Sequence, residues 1–154
     1  MFNIVLHQPE IPPNTGNIIR LCANTGSKLH LIHPLGFVIS EKNLERAALD
    51  YGEGVEIIHH KNFEAFLQNT QLRSYYSVST KGEPMMNDIS IKAGDYLMFG
   101  SETKGLPKGC LTHEKCQKVI RIPMADGSRS LNLSNSVAII VYFALGQNDF
   151  IGLS

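Results

Sequence analysis

Six short stretches of the chain are dense in β-branched, leucine and aromatic residues: "NIVLH" (3–7), "KLHLIH" (28–33), "VEIIHH" (55–60), "SYYSVS" (74–79), "DYLMFG" (95–100) and "KVIRIPM" (118–124). Each is short enough to be a strand, and helical spacing appears between most of them. Across 40–51, Leu44, Ala47, Ala48 and Tyr51 follow the i, i+3, i+4, i+7 rule, with Ser40 placed to cap the start and Gly52 to end it. Phe63, Phe66 and Leu67 repeat the spacing after Asn62, and Ile18, Ile19 and Cys22 form a stripe that ends at Gly26, a C-cap candidate. Several strands are continuous apolar runs rather than alternating ones, which predicts a sheet covered on both faces. The pattern therefore predicts an α/β fold: a six-stranded, mainly parallel sheet with helices on both faces, in a single domain over 1–154. The most linker-like stretch, "KGEPMMND" (81–88), is too short to divide it.

Near the end, "DGSRSLNLSNSVAIIVYFALG" (126–146) passes from hydroxyl and amide side chains to an almost unbroken apolar run. Ser134 or Asn132 can cap a helix there. Leu133, Val137, Ile140, Val141 and Ala144 form one face of that helix, and Ala138, Ile139, Tyr142 and Phe143 form the other. One core buries one face. Leaving the second wet would forfeit roughly 1.5–3 kcal/mol for each large apolar side chain, so the pattern predicts a self-association surface. The rival arrangement is a helix covered entirely by its own sheet and neighbours.

Composition narrows the class. A chain of 154 residues, 43% hydrophobic and 18% charged, suits one core. The start lacks a basic leader and a long apolar stretch, and the longest apolar run, Val137 to Leu145, is about half of a bilayer span. Three scattered cysteines suit a reducing compartment, so a soluble, cytoplasmic protein without membrane contact is expected. Cys110, His113 and Cys116 match no usual zinc spacing, and no metal is expected. Acidic and basic residues balance at 14 each, but over 101–129 Lys104, Lys108, Lys115, Lys118, Arg121 and Arg129 outnumber Glu102, Glu114 and Asp126. That segment is a modest basic patch or an ordinary solvated face.

Ligands of open parallel sheets sit beyond the carboxyl ends of the strands, which directs attention to "PEIPPNTGNIIR", "GSETKGLP" and "PMADGSRSLNLSN". The second begins like a phosphate-binding loop, but Leu106 and Pro107 stand where lysine and a hydroxyl residue are needed. No G-x-G-x-x-G follows the first strand and no G-x-S-x-G elbow exists. His59 and His60 read as partly exposed residues at a strand end. What remains are glycine-rich and hydroxyl-rich loops able to surround a polar ligand.

Three of these passages, "NTGNIIR" (14–20), "FGSETKGLP" (99–107) and "IPMADGSRSLNLSNSVAIIVY" (122–142), closely resemble, in this order, the three motifs of the SPOUT class of RNA ribose 2'-O-methyltransferases. Within that class the likeness is greatest to small enzymes that methylate the wobble nucleotide of leucine tRNAs, a cytidine or modified uridine. The resemblance implies S-adenosylmethionine as donor, a C-terminal trefoil knot, a homodimer through the C-terminal helix, and tRNA as partner. Carried over by position, it implies a donor pocket of Val78, Thr80, Gly100, Glu102, Gly105, Ile122, Ser130, Leu131 and Asn135. Arg20 matches the essential catalytic arginine; a permanently protonated guanidinium suits orienting a hydroxyl or phosphate better than removing a proton. Arg129, Lys104 and Tyr142 are the candidates for RNA contact. Two departures, the mixed charge of "SEKNLERAALDYGEG" and the divergent tail "FALGQNDFIGLS", bear on which tRNA and nucleotide are recognised. A non-catalytic RNA-binding protein on the same scaffold, or an enzyme acting on another tRNA position or on rRNA, would share much of this pattern.

Overall fold

Successive side chains of the first strand, β1 (Asn3–His7), serve two different cores: Ile4 and Leu6 enter one hydrophobic cluster and Val5 the other. This is why the strand is apolar without alternation. The computed structural model describes residues 1–38 and 54–154. After β1 come α1 (Pro12–Thr25), β2 (Lys28–Ile32), β3 (Ile57–His60), α2 (Phe63–Thr70), β4 (Tyr75–Val78), a 3-10 turn (Met86–Asp88), β5 (Tyr96–Phe99), α3 (Lys108–Leu111), β6 (Cys116–Ile120) and α4 (Leu133–Gln147). The six strands form one sheet in the order β3-β2-β1-β5-β4-β6, and every described pairing is parallel. The first core lies between the sheet and α1 with α4. The second joins Val5, Ile32 and Met98 to Phe66 of α2 and Cys110 of α3.

Local signals account for most helix ends. Gly26 takes φ 62° and donates its N–H to the Cys22 carbonyl, closing α1 in the left-handed conformation that glycine accepts without strain. Asn62 caps α2 by accepting from the Ala65 N–H, and Asn132 caps α4 by accepting from the N–H groups of Ser134 and Asn135. Of the two cap candidates for α4, Asn132 holds the position. The helix expected over 40–51 lies outside the described residues.

One expectation is corrected. The last strand runs over Cys116–Ile120 rather than 118–124, because beyond Arg121 the chain leaves the sheet, and Pro123 has no N–H for a ladder. The stretch 81–88, the most linker-like in the sequence, packs against its neighbour. Arg121 and Met85 form a bridge, Arg121 N–H donates to the Pro84 carbonyl, and a Cβ on Gly82 would sit 2.5 Å from the Val119 carbonyl oxygen. The segment is clasped against the chain leaving β6.

The chain builds β1, β2 and β3 outward in one direction and then places β5, β4 and β6 on the other side of β1. Carboxyl ends of strands beside such a reversal form a natural crevice. On α4, Leu133, Val137, Ile140, Val141 and Ala144 are buried as expected, Ala138, Ile139 and Phe143 are half-buried, and Tyr142 is 48% exposed. Among the described residues, no helix is long and apolar enough to cross a membrane.

Candidate active site

Beyond the carboxyl ends of β4, β5 and β6, and beside the start of α1, lies a cavity of about 480 Å³. Eight of the nine residues assigned to a donor pocket line it: Val78, Thr80, Gly100, Glu102, Gly105, Ile122, Ser130 and Leu131. Lys104 and Arg129 line it as well. Asn135, Arg20 and Tyr142 do not: Asn135 and Tyr142 lie on the outer face of α4, and Arg20 on the exposed side of α1.

One hydrogen-bonded chain draws the three loops together. The Glu102 carboxylate accepts from the backbone N–H of Glu10 at 2.7 Å and of Ile11 at 3.0 Å, and from the Asn14 Nδ2 at 3.1 Å. The Asn14 Oδ1 in turn accepts from the Asn132 Nδ2 at 3.0 Å, while the Asn132 Oδ1 caps α4. Ile11, the N-cap of α1, has no capping side chain of its own. A carboxylate 91 residues away takes that place, where the helix dipole favours negative charge. Burial alone would raise the Glu102 pKa. The Asn14 amide and the backbone N–H groups of Glu10, Glu102 and Ile11 outweigh that and hold it below its ordinary value. Glu102 thus lines the cavity while its charge is committed to the protein.

The glycines have backbone reasons to be where they are. A Cβ on Gly100 would overlap the Gly105 carbonyl, and Gly105 itself takes φ 66°. Ser101 and Gly105 form an antiparallel bridge, so the loop after β5 doubles back tightly and presents its edge to the cavity. Apolar walls come from Val78, Phe99, Ile122 and Leu131, and Lys81, Lys104 and Arg129 bring three cations to the lining. The sequence reading missed Asn14, Asn132 and Lys81. An asparagine just inside a helix start, where it lowers helix propensity, was the available signal for Asn14.

The reading of His60 is corrected. It is 2% exposed, its ring stacked on His30 with centroids 5.2 Å apart and covered by Phe66 of α2. His59 is exposed and meets His33 at 2.8 Å.

The profile of the SpoU rRNA Methylase family matches residues 1–142, which span all three loops and every residue lining the cavity. The chain belongs to the SpoU rRNA methylase family. A relative from Saccharophagus degradans, tRNA (cytidine(34)-2'-O)-methyltransferase, is 53% identical over 152 residues, covering 99% of each chain. A solved structure described as giving insights into the 2-OH methylation of C/U34 on tRNA is 40% identical with a TM-score of 0.87, covering 97% of both chains. The SpoU methyltransferase AviRb from Streptomyces viridochromogenes, in complex with AdoMet, shares the fold at 22% identity and a TM-score of 0.83 over 96% of this chain and 60% of that one. SpoU membership agrees with the class resemblance carried by 14–20, 99–107 and 122–142.

Proposed function

We propose that this chain transfers a methyl group from S-adenosylmethionine to the ribose 2'-hydroxyl of nucleotide 34 of tRNA, a cytidine or modified uridine, with leucine tRNAs as the species modified. The observation that carries the reading is the Glu102–Asn14–Asn132 chain, which gathers the family's three loops around one cavity. The near full-length likeness to a cytidine-34 methyltransferase supports the position.

The cavity fits such a donor. Its volume lies within the ~300–1,000 Å³ of small-molecule sites, and it combines apolar walls with a doubled-back loop whose backbone groups are close at hand. Val78, Thr80, Gly100, Gly105, Ile122, Ser130 and Leu131 would hold it. When bound, the donor would supply a sulfonium methyl activated for displacement by the ribose oxygen, with S-adenosylhomocysteine as the leaving group and the hydroxyl proton passing to water. The protein's task is positioning. Lys81, Lys104 and Arg129 draw the RNA backbone to the cavity. Arg20, on the polar stripe of α1, orients the ribose or its phosphate with a fork of donors.

The same reading includes a homodimer through the outer face of α4, where Asn135 and Tyr142 lie beside half-buried Ile139 and Phe143, and a cytoplasmic location. It also includes a trefoil knot, supported by the clasp of 79–86 on the chain leaving β6.

Methyl transfer from labelled donor into bulk tRNA, with bulk rRNA in parallel, tests the proposal once the modified ribose is mapped. Label at the 2'-oxygen of nucleotide 34 is expected; label only in rRNA, or in neither, would overturn it. Arg20→Ala should lose about a hundredfold in turnover with donor binding nearly unchanged, as followed by calorimetry.

A further inference from the structure

A second cavity, of about 360 Å³, opens beside the first. The two share Ser101, Lys104 and Gly105, so they adjoin across the loop that follows β5. Its other walls are the residues after β1 and the turn at Pro34–Gly36. Like the donor cavity, it therefore lies beyond the carboxyl ends of parallel strands, where ligands of such sheets collect.

Several features make this cavity a built one. Gln8 holds φ 52°, a left-handed conformation that a glutamine adopts only against strain, and such positions gather at ligand clamps. Its Nε2 donates to the His33 carbonyl at 3.4 Å, leaving a second amide N–H and the amide oxygen for a ligand. Glu10 is fixed from two directions. The Thr103 hydroxyl lies 2.7 and 2.9 Å from its two carboxylate oxygens, and Gly36 packs so closely that a Cβ there would lie 2.8 Å from the Glu10 Cα. His7 closes the floor. Burial pushes its pKa down, against weaker opposing effects of its backbone hydrogen bond and Glu64. A fixed acceptor, an amide and a cation, Lys104, thus converge on a space the size of a small planar ligand.

We propose that this second cavity receives the base of the nucleotide being methylated, with the Glu10 carboxylate accepting a hydrogen bond from the exocyclic amine of cytosine. The inference rests on the methyl-transfer reading above and adds to it a group that strengthens the binding of cytidine, while a uridine enters the same cavity without that hydrogen bond. A carboxylate acceptor pairs with the N4 amine of cytosine and meets the O4 of uracil as like partial charge, and the Gln8 amide is placed to serve the neighbouring edge. A base in a single-stranded loop is free to be splayed into such a pocket and read on its Watson–Crick edge. The adjoining donor cavity then faces the ribose of the same nucleotide.

The variant to measure is Glu10→Gln, which keeps the side-chain shape and the backbone N–H that Glu102 accepts. Against tRNA transcripts bearing cytidine or uridine at position 34, kcat/KM should fall on the order of tenfold or more for cytidine. It should change much less for uridine, with donor affinity unaltered. Equal effects on the two transcripts, or none, would overturn the assignment. A second measurement needs no turnover: titration of the wild-type protein with cytidine monophosphate should shift the backbone amide resonances of Gln8, Glu10 and Gly36, and the shifts should weaken in Glu10→Gln. Shifts confined to the donor cavity, or absent, would also sink the proposal. Failure of the wild type to label either transcript would count against the methyl-transfer reading instead, and the titration would still decide the cavity.

Discussion

Two sets of hydrogen-bonded polar side chains in this molecule, one half-buried around the buried Asn14 and one fully buried at His30 and His60, satisfy their polar atoms to different degrees. In the Glu102–Asn14–Asn132 chain, both carboxylate oxygens and both asparagine side chains have partners, and the ends of the chain are two helix N-termini that need them. In the His30–His60 pair the tautomer that satisfies most groups has His30 Nε2 donating to Asn3 Oδ1 at 3.4 Å and His60 Nε2 donating to His30 Nδ1 at 2.9 Å. That leaves the His60 Nδ1 as a buried lone pair without a partner among the described residues. A completed network rigidifies what it joins, whereas an incomplete one is a weak point. The completed one lies where three loops must be held to a fraction of an ångström. The incomplete one sits between β2, β3 and α2, away from both cavities.

The largest effect expected from breaking this contrast is at Glu102. Glu102→Ala strands two backbone donors and the Asn14 amide, and hydrogen bonds to a charged acceptor are worth about 1.5–3 kcal/mol each where buried. Because the site is partly wet, a total loss of about 3–4 kcal/mol is expected in urea unfolding. That is a large share of the ~5–15 kcal/mol a domain has. Donor affinity should fall with it, since α1, the 100–106 loop and α4 lose their common tie. A loss under about 1 kcal/mol would mean that the three loops are held by packing alone.

Acid should separate the two networks by the pH at which each fails. Burial first, then the neighbouring His60 and Lys28, lower the His30 pKa to about 4, with Glu56 opposing. Burial, then His59, lowers that of His60. Both rings therefore bind protons more readily unfolded. Their contribution is intact above about 6.5, the ordinary histidine value, and is lost as pH falls from there toward 4, a change on the order of 2–3 kcal/mol. The lowered carboxyl of Glu102 has its own window: its stabilisation is present above the ordinary 4.5 and disappears as pH drops through the folded value. Unfolding midpoints measured from pH 7 to 3 should thus decline in two stages. A flat profile down to pH 4.5 would show that the histidine pair is not under strain. Smaller still is Asn132→Ala, which removes the α4 cap and should cost about 1 kcal/mol, near the middle of the usual range for such caps.

What was legible in the chain follows the range of the interactions involved. The α1 stop at Gly26, the helix that begins after Asn62 and the two faces of α4 are set by residues within one or two turns, so spacing alone revealed them. The donor-cavity loops were legible as motifs. The commitment of Glu102 was not, because its partners stand 88 to 92 residues away and a carboxylate carries no mark of what it caps. His60 looked like an edge residue because nothing local says that Phe66 will cover it. β6 was expected to start two residues late and end four residues late because its first half is polar, facing solvent at the sheet edge, while Ile120 and Ile122 pulled the apolar pattern onward.

The smallest effect is the one that separates satisfaction from burial most cleanly. Removing one ring, as in His60→Ala, takes the partner of the His30 Nδ1 and opens a cavity beside Phe66, so it confounds two losses. Replacing both, in His30→Leu/His60→Leu, removes every polar atom of the pair and leaves only the 3.4 Å contact to Asn3 undone, on a side chain that also donates to the Gly94 carbonyl. Apolar replacement of a poorly satisfied buried group is often neutral or better. The double variant should therefore unfold within about 1 kcal/mol of the wild type at pH 7 and lose the first stage of the acid decline. Were it to lose several kcal/mol at neutral pH instead, the histidines would be a completed network after all, and the contrast with Glu102 would fail.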